Sequence, residues 1–133
     1  MAEVSSEMTY CDAWISDPSD VPGLDWKGIS TLVNAPIRCS PMFPEGHAAH
    51  FAIRKGIESG RLRGEQVDPL VWAAVMTKQE IVALLTEIFG PPGQYERRHD
   101  SGLRHLADRM RELRAFVNGL PADGVFAAVT DEF

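Results

Sequence analysis

The sequence predicts one small α+β domain over residues 1–133, with about three helices packed on one face of a small, mostly antiparallel sheet. Three observations predict this class. A continuous apolar run at 70–76 has the length of a buried strand, two later segments carry apolar stripes at helical spacing, and residues 125–129 form a last β-favouring run. The alternative from the same order of elements is a three-layer α/β domain with parallel central strands.

The first half of the chain predicts one strand, two irregular loops and one helix. Residues 8–15 are rich in β-favouring side chains and predict a strand. Repeated prolines predict irregular loops over 16–28 and 34–44, and the short run 29–33 fits either a strand or a helical turn. Pro44 suits the start of a helix, which we expect over about 45–58.

The second half has clearer signals. Thr77 followed by Glu80 is the pattern of a capping box, so we expect a helix from there to Gly90. The prolines and glycines of 90–100 predict a loop between two helices, and Asp100 or Ser101 is expected to cap the second of them. That helix has an apolar stripe of Leu103, Leu106, Met110, Leu113 and Val117.

Composition limits the function classes. The formal net charge is −6 and the sequence pI is near 5.1, which opposes general binding to nucleic acid or to anionic membranes. The acidic, polar start of the chain lacks the pattern of a secretory signal, and no apolar run approaches the length of a membrane span. We therefore expect a cytoplasmic protein without a membrane contact, in which two cysteines are free thiols.

One candidate catalytic site combines Cys39, His47, His50 and Arg54. The two histidines lie three residues apart on the expected helix, and Cys39 precedes that helix. A small enzyme or ligand-binding protein would use His47 as acid, base or ligand with His50 as its partner, Cys39 as nucleophile or third ligand, and Arg54 to hold an anion. The plainer interpretation, surface histidines and an inert thiol, is favoured, and the sequence predicts no metal site and no cofactor because no established motif is present.

A second candidate is an anion-binding surface at Arg97, Arg98 and Arg104. Residues 97–114 carry a formal charge of +3, from six arginines against three acidic side chains. Guanidinium groups beside a helix start suit phosphate, and binding of nucleic acid or phosphate here is the third hypothesis for function. A solvated helix face is the plainer interpretation, because no series of aromatic side chains is present to stack bases.

The leading hypothesis is an accessory protein that acts through a protein partner, of an immunity-like or regulatory kind. Residues 1–30 carry a formal charge of −5, which suits a basic partner. Trp26 lies between Asp25 and Lys27 in an expected loop, where an exposed tryptophan is a common binding anchor. The residues assigned to this contact are Asp17, Asp20, Asp25 and Trp26. The sequence leaves open whether the chain also forms a homo-oligomer.

Overall fold

Four antiparallel strands form one open sheet in the computed structural model, which describes residues 10–19, 28, 32 and 38–132. The strands are β1 (Cys11–Ser16), β2 (Arg63–Asp68), β3 (Val71–Thr77) and β4 (Val125–Glu132). Their order across the sheet is β1-β4-β3-β2. Every pairing of these strands is antiparallel, which confirms the expected α+β class and excludes parallel central strands.

Over residues 38–132, three long helices and one short helix accompany the sheet. They are α1 (Gly46–Glu58), α2 (Lys78–Phe89), α3 (Gln94–His99) and α4 (Arg104–Asn118). One face of the sheet and the helices share a single apolar core. Its sheet residues include Ala13, Ile15, Ala74, Met76, Phe126 and Ala128. The small alanines let the helices lie close to the strands, so helices and sheet share one closely packed core.

The opposite face of the sheet is covered by residues from the first proline-rich loops. Cys39, Leu32 and Met42 pack there on Trp14 and Val129, together with alanines of β3 and β4. Residues 38–40 also extend the sheet beyond β1, since the amide of Ser40 donates to the carbonyl of Ile15 at 2.8 Å. The described part of the 34–44 loop is therefore irregular in form but pairs with the edge of β1.

The structure differs from the sequence-based expectations in four places. The first strand is Cys11–Ser16, while the expected start at residue 8 lies outside the described residues. The edge strand β2 was not expected, and α3 occupies part of the 90–100 segment expected to be a loop. Neither Asp100 nor Ser101 caps α4, whose N-cap is Leu103 without a side-chain bond. Asp100 instead accepts two hydrogen bonds from Arg111, which lies eleven residues further on.

The start of α2 is the element that follows most directly from the sequence. Thr77 Oγ1 accepts from the amide of Glu80 at 3.2 Å, and Glu80 Oε1 accepts from the amide of Thr77 at 2.9 Å. The expected capping box is therefore confirmed. Because β3 ends at Thr77 and α2 begins at the next residue, these two bonds fix the direction in which α2 leaves the sheet.

The start of α1 is held by close contact with β1. A side chain at Gly46 would occupy the space of the Cys11 carbonyl, so only glycine lets the helix approach this strand. Glu45, the N-cap, has φ 57, a left-handed conformation that is unusual for a residue with a side chain. Its carboxylate accepts a hydrogen bond from the hydroxyl of Tyr95 at 3.0 Å, which ties α1 to α3.

No helix in the described part of the chain has the length and apolar character needed to cross a membrane.

Candidate protein-binding groove

The outer surface of the helix layer carries a groove between α1 and α2. Both helices present to it a stripe at the spacing i, i+3, i+4, i+7, which places the side chains on one helix face. The stripe of α1 consists of Ala48, Phe51, Ala52 and Lys55. The stripe of α2 consists of Glu80, Ala83, Leu84, Glu87 and Ile88. We call this surface the α1–α2 groove.

The groove contains a protruding aromatic side chain next to a recess. Phe51 is 62% exposed, the largest exposed fraction among the large apolar side chains that the structure describes. Beside it, Ala48, Ala52 and Ile88 line a recess with a volume of about 480 Å³. Lys55 Nζ lies 5.6 Å from the centroid of the Phe51 ring, which places a cation over the exposed aromatic face.

A salt bridge crosses the groove. Arg61 Nη2 lies 3.7 Å from Glu87 Oε2, and both side chains are about half exposed. An ion pair of this exposure contributes about 0–1 kcal/mol, so it is easily exchanged for other partners. A smaller recess of about 180 Å³ lies on the other side of this salt bridge, and Leu62 and Met76 are among the residues that line it.

Gly56 lets Leu62, which lines this smaller recess, pack against α1. A side chain at Gly56 would begin 2.5 Å from Leu62 Cδ1, so the glycine makes room for Leu62 to fold back against α1. The hydrogen bond from the Leu62 amide to the Gly56 carbonyl, at 2.9 Å, holds the connection in this position. The end of α1 and the start of β2 are thereby fixed relative to each other.

The charges of the groove are separated between its two sides. The α1 side carries Lys55, and the α2 side carries Glu80 and Glu87. Glu80 is committed to the capping box, whereas Lys55 and Glu87 lie on the rim beside the recess. A ligand of this surface would therefore offer an apolar group for the recess and charges of both signs for its edges.

The candidate histidine site is dispersed in the structure. His50 is 7% exposed and lies between α1 and the sheet, whereas His47 is exposed. His50 Nδ1 lies 2.8 Å from Thr130 Oγ1, and that hydroxyl donates to the carbonyl of Asp12 at 2.8 Å. Since the hydroxyl proton is used there, Nδ1 is the donor to Thr130, and Nε2 is unprotonated in the neutral ring. His50 Nε2 has no partner among the described residues.

The burial of His50 predicts how stability depends on pH. Burial lowers the pKa of His50, while nearby Glu132 raises it and Arg54 and His47 lower it further. The unfolded chain therefore takes up this proton first, and stability that is present above about pH 6.5 is lost as the pH falls toward the folded-state pKa. In denaturant unfolding between about pH 7.5 and pH 5, His50→Gln should flatten this loss of unfolding free energy.

His47→Gln is the matched control for this measurement, because it removes an exposed imidazole of the same helix. It should leave the slope close to that of the unaltered chain. Equal slopes for both variants would contradict the assignment of this pH dependence to His50.

Cys39 lies on the face of the sheet opposite helices α1 to α4. It pairs with Ser16 as an isolated bridge, and its thiol donates to the carbonyl of Leu32 at 2.6 Å. Burial raises the pKa of Cys39 to about 11, so the thiolate that a nucleophile requires is scarce at neutral pH. The structure therefore does not bring Cys39 to His50, which lies between the sheet and α1.

Arg54 is likewise engaged elsewhere. Its Nε lies 3.3 Å from Glu58 Oε2, and its guanidinium carbon lies 5.1 Å from the centroid of the Trp72 ring. In the described part of the chain, no group of three or more histidine, cysteine, aspartate or glutamate side chains could hold a metal ion. The geometry thus supplies neither a paired nucleophile and base nor a metal centre at these four residues.

The other candidate residues that the structure describes do not line the groove. Asp17 Oδ1 accepts from the amide of Ser19 at 3.0 Å, a local turn contact, and Asp20, Asp25 and Trp26 lie outside the described residues. Arg97 and Arg98 are exposed in the last turn of α3, and Arg104 is exposed at the first residue of α4. Basic side chains in a last helical turn have a structural explanation, because they complement the helix dipole.

Sequence reasoning missed the groove, although part of its signal is present. The stripe of Ala48, Phe51, Ala52 and Lys55 has helical spacing and contains a large apolar residue. In the sequence this stripe lies next to His47 and His50, which were the predicted site residues of this helix. The pairing of this stripe with one from α2 depends on how the sheet places the two helices side by side, which spacing along the chain does not reveal.

Fold and groove together define a small α+β domain with an open, partly apolar groove on its helix layer. Comparisons of the chain with protein-family models, with curated proteins and with solved structures give no match.

Proposed function

We propose that this chain is a small acidic binding protein that acts through a protein partner, and that the partner docks in the α1–α2 groove. The observation that carries the proposal is the 62% exposure of Phe51 beside a recess lined by Ala48, Ala52 and Ile88. Aromatic anchors next to pockets are typical of protein interfaces, where a few such residues contribute most of the binding energy.

The form of the groove supports a protein partner over a small ligand. The recess is open along its length, and one wall is the exposed ring of Phe51 itself. Small-molecule sites instead enclose most of their ligand. Burying the exposed part of a phenylalanine contributes up to about 1.5–3 kcal/mol, and a surface that covered Phe51 would gain this energy.

The rim of the groove supports selectivity. Lys55 on one side and Glu87 on the other are positioned to pair with charges of a partner once the recess is filled. Rim charges mainly govern the rate of association and the choice of partner, while the apolar centre contributes most of the affinity.

The acidic contact at Asp17, Asp20, Asp25 and Trp26, with its basic partner, stays a prediction, as does the cytoplasmic location. Of these four residues, Asp17 is the one that the structure describes, and it is not among the residues that line the α1–α2 groove.

A photo-reactive side chain at position 51 tests the proposal in the cells that make the protein. Replacing Phe51 by p-benzoylphenylalanine keeps an aromatic group at the centre of the groove. Irradiation should join the chain to its partner in an adduct of one discrete mass, because the docked partner lies in contact with this position.

Val82 provides the matched control, since it is 41% exposed on α2 but lies on the side of that helix away from the groove. The same photo-reactive group at position 82 should give roughly tenfold less adduct or lower yields still. Equal yields at the two positions, or no adduct at position 51, would overturn the proposal.

A further inference from the structure

We infer that a second copy of this chain occupies the α1–α2 groove in a two-fold dimer, with Phe51 of each copy seated in the recess of the other. The inference rests on the proposed function, because it identifies a protein that fits the surface assigned above. The juxtaposition that carries it is an aromatic projection and a matching recess on one surface, flanked by opposite charges.

Shape is the first argument for a second copy. A two-fold interface is self-complementary, so the same surface must provide both a projection and the site that receives it. The groove provides both, since Phe51 projects into solvent and the recess beside it is lined by Ala48, Ala52 and Ile88. The methyl side chains of Ala48 and Ala52 leave the space that a ring from the other copy requires.

Charge is the second argument. Lys55 lies on the α1 side of the recess, and Glu87 lies on the α2 side. A two-fold axis that runs along the groove brings the α1 side of each copy against the α2 side of the other, so that Lys55 and Glu87 meet twice across the interface. Glu87 is available for this contact, because its bond to Arg61 is long and half exposed.

Self-association and binding of another protein then compete for one surface. The dimer covers the apolar groove while no other partner is present, and a partner must displace the second copy to reach Phe51. Exposed apolar surface beside a recess favours association, so covering it also limits nonspecific contacts. The concentration of this chain would thereby set how much groove is free for the partner.

Sedimentation velocity of the purified full chain, from about 1 μM to about 1 mM, tests the inference. The unaltered chain should shift from monomer to dimer across this range. Phe51→Ser should weaken the dimer by at least roughly tenfold, because it removes the projection. Val82→Ser should leave the dimer unchanged, since Val82 lies away from the groove, and thermal unfolding should show that both variants remain folded.

Exchanging the charges provides a sharper test. Lys55→Glu alone places like charges opposite one another twice across the dimer, and so does Glu87→Lys alone. Each variant should therefore be monomeric where the unaltered chain is dimeric. An equimolar mixture of the two variants restores both opposite-charge contacts and should form a mixed dimer.

The outcomes separate this inference from the proposed function. A chain that stays monomeric to about 1 mM, a dimer indifferent to Phe51→Ser, or a mixture that fails to associate would each overturn the second copy as occupant. In any of these cases, a position-51 adduct with the mass of another protein would still support the proposed function. An adduct of twice the chain mass, together with the mixed dimer, supports both.

Discussion

Glu96→Ala should destabilise the protein by about 3–5 kcal/mol, because it leaves the guanidinium of Arg114 without its partner in a buried position. Arg114 Nε lies 2.7 Å from Glu96 Oε2, and the two side chains are only 15% and 7% exposed. The pair joins α3 to α4. Thermal unfolding should show a fall in Tm of roughly 10–20 °C.

The double variant Glu96→Met with Arg114→Met distinguishes the cost of an unpaired buried charge from the loss of side-chain packing. It replaces the ion pair by apolar side chains of similar length, so most of the lost stability should return. With the single variants Glu96→Met and Arg114→Met it completes a double-mutant cycle, in which the difference between the double variant and the sum of these single variants measures the coupling of the pair. A double variant as unstable as the less stable of the single variants would contradict this account. It would show that packing, and not an unpaired charge, governs the loss of stability.

Ile53→Ala should cost about 2–5 kcal/mol, because Ile53 is fully buried on the inner side of α1 and its removal leaves a cavity. Denaturant unfolding of the full chain is the appropriate measurement, with the midpoint lowered and the slope unchanged. The side chain lies in the core cluster that joins α1 to β1, β3 and β4, so this residue serves the fold.

Phe51→Ala is the matched comparison, two residues earlier on the same helix. Its ring is mostly exposed, so its truncation should change stability by no more than about 0.5 kcal/mol while abolishing association at the groove. Ile53→Ala should instead lower stability and leave association at the groove unchanged, because the folded fraction of this variant retains the groove. A loss of stability at Phe51 as large as that at Ile53 would show that the ring is part of the core and would contradict the assignment of a binding role.

Elements with strong local signals were predictable from the sequence. The apolar run at 70–76 corresponds to β3, and the capping box at Thr77 and Glu80 begins α2 as expected. The helix expected over about 45–58 is α1, with Gly46 as its first residue. In each case a pattern within about ten residues determines the element, so tertiary contacts were not needed to recognise it.

The elements that were missed are polar segments whose structure depends on distant residues. β2 has the sequence RGEQVD, which lacks apolar alternation, and it forms a strand because β3 supplies its hydrogen bonds. α3 has the sequence QYERRH, and its buried residues are Tyr95 and Glu96. Glu96 can be buried only because Arg114, eighteen residues away in sequence, neutralises it.

The candidate site shows the same division. The position of Phe51 on a helix follows from the sequence, but its exposure and the neighbouring recess depend on α2. The expected grouping of Cys39 with His50 depended on the course of residues 38–44. Pairing of Cys39 with Ser16 directs the thiol to the other face of the sheet. Proline-rich segments give little information on which face of a sheet they cover, because they lack a regular period.

The most direct test of the groove as a binding surface is the ratio of photo-adduct at position 51 to that at position 82, measured in the cells that make the protein. We predict a ratio of roughly ten or more, with a discrete adduct mass, because only Phe51 lies at the centre of the docked surface. A ratio near one, or the absence of any adduct at position 51, would contradict the account.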